Sequence, residues 1–499
     1  MMGGMGSIIF RCGMAMLLFS LAACGGGDGG TTATSGVVSG VVTDAGTGMP
    51  LANAVVSEGA AMATTDAGGV YTLVRPVGDH ILTVSAAGYL TTSRRCTVAP
   101  GATVSHDWWL TTAHPAYIDY SSAGLISTIP ASTMNYVVLA WNDLGMHCAQ
   151  DDYSAFCILP PFNTLHAQVI RRGGGVITSG ITVSYSFAKK ANSAANTNFW
   201  QYAAKYGWNA APNVGITGTP LAGTMKVDAN SLGFVAEGIP LTPYDDDGTW
   251  DPYATAAITV TDTASGAVLA TTQVVAPVST EMNCSNCHGM TNTYQNILQA
   301  HDRRNGTTLV ADRAAGTLHL CGECHADNAL GLPGKSGVKN LSLAMHGFHQ
   351  DKLVSAGAST SSACYNCHPG PRTNCLRGTM FHASQTCTDC HGDMGTMTRV
   401  LANGRQPWLQ EPRCGDCHGS GHQENSATLY RNSVLTNSPD PKMDGRLYCE
   451  ACHNSTHAEY TSANPVDNGI PRQYQGDSYW IWNCYVCHTD YMPMPSMHQ

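Results

Sequence analysis

The chain has 499 residues, of which 43% are hydrophobic and 12% are charged, and its net charge is -10 at pH 7. This length is enough for about three domains. An acidic chain of mixed charge lacks the basic face that nucleic-acid binding requires, so we expect no nucleic-acid partner. Its twenty cysteines are unusually many for this size, and their spacing carries most of the functional information.

Residues 1–23 have the features of an export signal, with an apolar run that is too short to cross a bilayer. The run ends in Leu-Ala-Ala-Cys at 21–24, which resembles the lipobox of bacterial lipoproteins. That resemblance implies acylation of Cys24 and a Gly-rich tether over residues 24–35. Gly25 resembles the residue after the cysteine in lipoproteins passed to the outer membrane, which predicts the periplasmic face or the cell surface. An ordinary cleaved signal is the alternative.

Residues 36–112 alternate apolar and polar residues between turn signals, as the short strands of a β-sandwich do. The sequence segments 40–56, 65–71 and 87–89 resemble those of the carboxypeptidase regulatory-like (transthyretin-like) domain. That resemblance implies a sandwich fold, a spacer or adhesion role and no chemistry, so His80 and His106 are expected to be ordinary surface or core residues. The predicted strands lie at 37–38, 40–43, 54–57, 70–73, 80–85 and 108–110.

A linker at 113–133 precedes a second β-rich domain at 134–277. Its predicted strands lie at 136–140, 168–170, 181–187, 257–261 and 273–275. Carboxylates at 245–251 could bind calcium, but they do not follow the EF-hand order, so we expect a solvated turn.

Two cysteines of the second β-rich domain, Cys148 and Cys157, are most simply a disulfide that closes a small loop in an exported protein. Their spacing resembles the C-x8-C disulfide in the β-domains of outer-membrane decahaem cytochromes of metal-reducing bacteria. The alternative is a metal or redox site built from His147, Cys148, Cys157 and His166.

Residues 278–499 contain seven copies of Cys-x-x-Cys-His, numbered here one to seven in chain order. This pattern attaches a c-type haem, because two thiols on one helical turn reach both vinyl groups and the histidine binds the iron. Zinc ribbons also use Cys-x-x-Cys, but zinc does not require a histidine after every second cysteine. We therefore expect seven haem c groups. The cysteines are Cys284 and Cys287, Cys321 and Cys324, Cys364 and Cys367, Cys387 and Cys390, Cys414 and Cys417, Cys449 and Cys452, and Cys484 and Cys487, and the proximal histidines are His288, His325, His368, His391, His418, His453 and His488.

Eight further histidines in this region are candidates for the second axial position of each iron: His301, His319, His346, His349, His382, His422, His457 and His498. His422 and His457 each follow a motif histidine by four residues, so on a helix they share its face and must serve a neighbouring haem. His346 and His349 are three residues apart and suit two different irons. Methionine at 492, 494 or 497 is the alternative ligand for the last iron.

The region 278–499 resembles a multihaem c-type cytochrome, and the whole chain resembles a cytochrome lipoprotein of metal-respiring bacteria. The fold expected is multidomain: an all-β N-terminal part, then a cytochrome c domain of short helices and loops packed around haems. Bis-histidine iron favours electron transfer to a redox protein, an outer-membrane electron conduit or an extracellular metal oxide. The alternatives are a reductase of nitrogen or sulfur oxyanions with one open-site haem, and a structural, polymerising cytochrome that forms a homo-oligomer or filament. Cys375 belongs to no motif, and it either forms a disulfide with Cys96 or remains a free thiol.

Overall fold

The fold is multidomain, with β-sheet domains in the N-terminal part and a C-terminal region of short helices and loops, as the sequence predicts. The computed structural model describes residues 34–44, 49–89, 91–110, 134–229, 231–289, 291–355, 363–370, 372–383, 385–418 and 447–489. The predicted signal and linker, together with Cys24, His422 and His498, lie outside these residues. Among the helices that are described, none is both long and apolar enough to cross a membrane.

The predicted strands are all present, and shorter strands that alternation did not reveal lie between them. The strands are β1 (Ser35–Asp44), β2 (Val55–Glu58), β3 (Ala61–Thr64), β4 (Val70–Pro76), β5 (Gly78–Ser85), β6 (Thr92–Val98), β7 (Thr103–Ser105), β8 (Trp108–Leu110), β9 (Tyr136–Asn142), β10 (His147–Cys148), β11 (Phe156–Cys157), β12 (Thr164–Arg171), β13 (Gly175–Ile177), β14 (Ile181–Phe187), β15 (Gly223–Thr224), β16 (Lys226–Val227), β17 (Phe234–Glu237), β18 (Thr255–Asp262), β19 (Val268–Val275), β20 (Val278–Ser279) and β21 (His319–Leu320).

Short helices dominate the C-terminal region, and several coincide with the Cys-x-x-Cys-His motifs. The helices are α1 (Phe199–Tyr202), α2 (Ser285–His288), α3 (Thr293–Asn305), α4 (Leu309–Ala314), α5 (Leu341–Ser355), α6 (Thr379–His382), α7 (Cys387–His391), α8 (Met394–Ala402), α9 (Cys414–His418), α10 (Cys449–His453) and α11 (Gly469–Gln475), with 3-10 turns at Ser193–Ala195, Ala203–Tyr206, Cys321–Glu323 and Cys484–Val486.

The first β domain consists of two sheets with a core of their own. One sheet has the order β4-β1-β7, with β8 also paired to β1, and the other has the order β3-β2-β5-β6. Burial alternates along β1, so Val38 and Val42 enter the core beside Trp108. Gly40 allows a close approach of the neighbouring chain, because a Cβ there would lie 2.1 Å from the His106 carbonyl oxygen. In the described part of the chain, this core draws only on residues 38–110.

The second β region also contains two main sheets. Their orders are β13-β12-β17-β16, with β9 also paired to β12, and β15-β14-β18-β19. Strands β9 and β12 are buried along nearly their whole length. This explains the continuous apolar run of β9, whereas β12 also buries the polar residues His166 and Gln168.

The C-terminal region shares the core of the second β region. Tyr448, Ile470 and Tyr474 belong to the same hydrophobic cluster as the strands. The Tyr474 hydroxyl lies 3.1 Å from both the backbone nitrogen and the backbone oxygen of Val138. The predicted domain boundary at residue 278 therefore does not separate two cores. The last two motifs gain apolar burial from the sheets, which their own loop-rich sequence could not supply.

Two short parallel pairings join the first two motifs to the second β region. Strand β20, just before motif one, pairs with β10, and β21, just before motif two, pairs with β11. In the part of the region after residue 277 that the structure describes, these two-residue strands are the only sheet, in agreement with the expectation of almost none.

Candidate metal centres

Each motif forms about one turn of helix. The backbone nitrogen of the motif histidine donates to the carbonyl of the first motif cysteine in motifs one, two, three and seven, at 2.9–3.0 Å. This i to i+4 bond brings the first cysteine and the histidine onto one face, and the second cysteine lies within the same turn. The turn therefore presents two thiols and one imidazole together.

Side-chain caps fix the start of two motif turns. Thr386 and Asp389 form a capping box at α7, in which the Thr386 backbone nitrogen donates to Asp389 Oδ2 at 2.6 Å. Asn483 accepts a hydrogen bond from the Tyr485 backbone nitrogen at 3.0 Å at the start of motif seven. These capping residues thus help to set the position at which each motif turn begins.

Three motif histidines face an imidazole from elsewhere in the chain at nearly the same distance. The ring centroids are 6.3 Å apart for His301 and His325, 6.1 Å for His346 and His368, and 6.2 Å for His391 and His457. Two imidazoles that share one metal ion, with metal–nitrogen distances of about 2.0–2.1 Å, have ring centres about 6.2–6.4 Å apart. The observed separations fit one iron between each pair.

Two of the candidate distal imidazoles, those of His346 and His349, are oriented by hydrogen bonds at Nδ1. Nδ1 of His346 lies 2.8 Å from the Ser342 carbonyl, and Nδ1 of His349 lies 2.8 Å from the Met345 carbonyl. A carbonyl only accepts, so each Nδ1 carries the proton and Nε2 keeps its lone pair. A hydrogen bond of this kind is typical of histidines that bind metals, and it fixes both the tautomer and the ring orientation.

Helix α5 serves two motifs. His346 faces His368 of motif three, while His349 is close enough to His288 of motif one for its charge to help lower the pKa of that imidazole. Asn340 begins the helix by accepting a hydrogen bond from the Leu343 backbone nitrogen at 2.8 Å. One helix thus connects two motifs that are 80 residues apart, counted from Cys284 to Cys364.

Burial keeps several of these imidazoles neutral. Burial, together with the charges of neighbouring histidines, lowers the pKa of His368 and that of His391 to about 4. Burial also lowers the pKa of His301 and His346. His457 differs, because burial lowers its pKa but Cys375, Glu459 and the Leu144 carbonyl raise it to about 9. Neutral imidazole is the form that binds a metal.

Two other candidate distal histidines lie in different settings. His319 directs Nε2 to Asp312 Oδ2 at 3.0 Å and Nδ1 to Glu323 Oε2 at 3.6 Å. Since both ring nitrogens face carboxylates, this imidazole is held in an ion-pair cluster and is poorly placed to bind iron. His382 ends α6, where its imidazole is hydrogen-bonded to the backbone of Thr461.

The motif cysteines show which motifs are neighbours in space. Cys367 of motif three is close to both cysteines of motif one, and the sulfurs of Cys364 and Cys387 are hydrogen-bonded between motifs three and four. Cys390 of motif four lies near motif five, and the cysteines of motifs six and seven also lie near each other. These contacts place motifs one, three, four and five in that order and motifs six and seven beside each other.

The four remaining candidates in the second β region do not form one site. Cys148 lies near Cys375, whereas Cys157 lies near Cys321. Each thiol thus has a different sulfur as its neighbour, and the Cys148–Cys157 disulfide stays a prediction. His147 Nε2 is bonded to Asp143 at 2.5 Å.

The side chains of His147, Cys148, Cys157 and His166 do not come together in one metal site, because each has other neighbours. His166 stacks on Trp141 with ring centroids 5.7 Å apart. Among the described residues, no group of three or more His, Cys, Asp or Glu side chains could hold a metal ion. In the 245–251 turn, the buried Asp245 pairs with Lys190 at 3.0 Å, so this carboxylate is neutralised by a lysine.

Other predicted histidines and cysteines lie in the first β domain. His80 bonds to Glu58 at 2.8 Å and to the Pro76 carbonyl at 2.7 Å, which agrees with an ordinary structural role. Cys96 is buried in the core of that domain, in strand β6. Among the described residues, this core contains none from the motif region.

Sequence reasoning missed the groups that surround the imidazoles. The Leu144 carbonyl lies 3.2 Å from His457 Nδ1, and Trp480 lies 6.2 Å from His453 between ring centroids. A backbone carbonyl leaves no signal in a sequence. Trp480 could have been noticed as one of the aromatic residues between motifs six and seven.

Comparison with known proteins identifies the first β domain. The family model for the carboxypeptidase regulatory-like domain matches residues 37–111, which confirms the N-terminal resemblance. No curated protein matches the chain.

Solved structures give only weak similarity. A DUF3823 family protein from Bacteroides ovatus is 9% identical, with a TM-score of 0.13 over 49% of this chain and 99% of that chain. The major pilin subunit BcpA of Bacillus cereus is 11% identical, with a TM-score of 0.15 over 49% and 69%. The TIE protein of Bacillus anthracis is 11% identical, with a TM-score of 0.16 over 49% and 32%. Scores this low carry no argument about the fold.

Proposed function

We propose that this protein transfers electrons through seven c-type haems, each attached at one Cys-x-x-Cys-His motif. The motif cysteines would form the thioether bonds, and the motif histidines would bind iron on the proximal side. His349, His301, His346 and His457 would be the distal ligands for motifs one, two, three and four. Bound haem iron supplies one-electron chemistry between its ferric and ferrous states.

The observation that carries the proposal is the repeated separation of 6.1–6.3 Å between three pairs of imidazole rings. Each pair joins a motif histidine to a histidine that lies 22 to 66 residues away in the chain, from His346–His368 to His391–His457. Ring pairs of other kinds share this distance, such as Tyr206 and Trp208 at 6.2 Å. The three pairs are distinguished because both rings are imidazoles and one ring of each pair belongs to a motif.

The surrounding residues keep the paired imidazoles ready to bind iron. The carbonyls of Ser342 and Met345 hold the proton at Nδ1, and burial keeps the rings of His368 and His391 neutral. With haem bound, an imidazole from each side would hold the iron and leave no position there for water. This arrangement favours electron transfer over binding of a substrate at the iron.

The order of the motifs supports a continuous path. Motif one neighbours three, three neighbours four, and four neighbours five, while His457 follows motif six by four residues and faces His391 of motif four. Such cross-ligation would hold neighbouring haems close together. We further propose that the chain is an outer-membrane lipoprotein anchored through Cys24, which exchanges electrons with another redox protein or an extracellular metal oxide.

A haem count and an EPR spectrum test the proposal. Intact mass of the exported protein should show seven haem additions, and EPR of the oxidised protein should show low-spin iron only. A mass without haem would overturn the assignment of the motifs. A high-spin signal that changes on adding nitrite or cyanide would instead favour the reductase.

A further inference from the structure

The His457 backbone is held in an unusual conformation. Its φ is +76°, which is uncommon for a residue with a side chain. The His457 carbonyl accepts hydrogen bonds from the backbone nitrogens of Arg377 at 2.7 Å and Gly378 at 2.8 Å, and its own nitrogen donates to Glu459 Oε1 at 3.0 Å. These hydrogen bonds hold the backbone of His457 in a strained conformation, as is seen at many functional sites.

The His457 imidazole contacts both the second β region and the segment that carries Cys375. Its Nδ1 lies 3.2 Å from the Leu144 carbonyl oxygen and 3.9 Å from Cys375 Sγ, while the ring faces His391. Because the carbonyl can only accept, Nδ1 carries the proton and Nε2 keeps its lone pair. The sulfur lies against the same nitrogen and limits rotation of the ring.

Gly145 provides the close approach between the two parts of the chain. A Cβ on Gly145 would lie 2.2 Å from the Thr456 carbonyl and 3.4 Å from the His457 Cβ, and Gly145 has φ of +75°. The Gly145 carbonyl also accepts a hydrogen bond from buried Arg377 at 2.7 Å. The loop at 144–145 is thus fitted directly against the residue that carries the imidazole.

His346 and His349 are anchored differently from His457. Each of them bonds to the carbonyl four residues earlier in its own helix, so α5 alone orients them. The partners of His457 are 313 residues away in the case of Leu144 and 82 residues away in the case of Cys375. The orientation of the His457 imidazole therefore depends on contacts with distant parts of the chain, including the second β region.

We infer that the Leu144 carbonyl of the second β region and Cys375 of the motif region are positioning groups for His457, and that together they set the reduction potential of the haem at motif four. The inference rests on the proposed function. Hydrogen bonds at Nδ1 make the imidazole a stronger donor to iron, which favours the ferric state and lowers the potential. Loss of these contacts should raise that potential.

The test compares Cys375→Ala with Cys96→Ala, which removes a buried cysteine from the first β domain. Potentiometric titration followed by EPR should show that Cys375→Ala makes one haem potential more positive and shifts one low-spin signal, with the other signals unchanged. Cys96→Ala should leave every signal in place. Cys375→Ser keeps a polar atom at this position, so its potential and low-spin signal should lie much closer to those of the wild type than those of Cys375→Ala do.

Gly145→Ala tests the same contact from the β side. It should convert the same low-spin signal to high-spin or shift it further than Cys375→Ala does, because it displaces the His457 backbone. If Gly145→Ala fails to fold, the Cys375 variants still decide the question. Full haem loading with identical EPR spectra and potentials for wild type and Cys375→Ala would overturn the inference. A mass without haem would instead reject the proposed function.

Discussion

At the scale of single residues, the most heavily constrained side chain outside the motifs is Arg377. It is 1% exposed and forms two hydrogen bonds with the Asp467 carboxylate, at 2.7 and 3.0 Å. Burial alone would lower the pKa of Arg377, but the charge and hydrogen bonds of Asp467 raise it above its usual value. The same guanidinium reaches the Gly145 carbonyl, so this ion pair fixes the loop beside His457.

Removing one partner of this pair should be strongly destabilising. We expect Asp467→Ala to lower the free energy of unfolding by roughly 3–5 kcal/mol, because it leaves a buried guanidinium without its charge partner. Chemical denaturation followed by tryptophan fluorescence measures the change. The control is Glu411→Gln, which removes the less buried partner of Arg405 and should cost less than about 1 kcal/mol. Equal effects of the two variants would contradict the prediction.

The residues themselves show which parts of the site a sequence can predict. The motif turns are local, so Cys284 to His288 could be assigned from spacing alone. For His457, the spacing of four residues from His453 predicted a neighbouring haem, and the ring contact with His391 agrees with that expectation. His319 seemed an equal candidate, but whether an imidazole meets a carboxylate or a second imidazole depends on tertiary contacts that no local pattern encodes.

At the scale of single elements, helix α5 shows how three-residue spacing becomes a functional pattern. His346 and His349 lie on adjacent positions of one helical surface but diverge enough to face different motifs. The 15-residue helix is long enough to hold both rings through its own carbonyls. Neither histidine could be moved to the next position without losing its motif partner.

Replacing these histidines should alter one haem each. We expect His346→Ala and His349→Ala each to convert one low-spin haem to high-spin, because each removes one distal ligand, and the double variant should convert two. EPR of the oxidised protein counts the change, and added imidazole should restore the low-spin signal. The matched control is His319→Ala, which should leave the spectrum unchanged because its nitrogens face carboxylates. A high-spin signal in His319→Ala would contradict the ligand assignment.

In the first β domain, a hydrogen bond gives an alkaline pH dependence. The Tyr89 hydroxyl donates to Asp44 Oδ2 at 2.6 Å, and this bond, with burial, raises the pKa of Tyr89 from 10.0 to about 12. The folded domain therefore favours the neutral phenol. The resulting stabilisation is complete below about pH 10 and is lost as the pH rises to about 12.

The measurement is calorimetry of the full-length protein and of Tyr89→Phe between about pH 9 and pH 12. The transition of the first β domain should fall in temperature over this range for the wild type and should fall less for Tyr89→Phe, which cannot ionise. Parallel curves for the two proteins would show that other groups control the alkaline unfolding.

At the scale of the whole molecule, the chain has two different sources of stability. The first β domain has a closed core that draws on residues 38–110. The second core combines strands from residues 137–278 with residues 448–486 of the last two motifs. Motifs three to five have few buried aliphatic side chains among the described residues, and we expect their haems to supply the missing apolar contacts.

This division predicts a graded response to loss of haem. Protein expressed without covalent haem attachment should keep the calorimetric transition of the first β domain, whereas the second transition should fall, because only the second unit contains motif residues. Within the second unit, amides in 447–489 should exchange hydrogen more slowly than amides in 363–418, since the sheets still bury Tyr448 and Tyr474. Trp108→Ala is the control, and it should lower only the first transition, by roughly 3–5 kcal/mol. Equal and rapid exchange in both segments would mean that contact with the β-sheets does not stabilise the last two motifs, and that haem is needed there as much as in the centre of the chain.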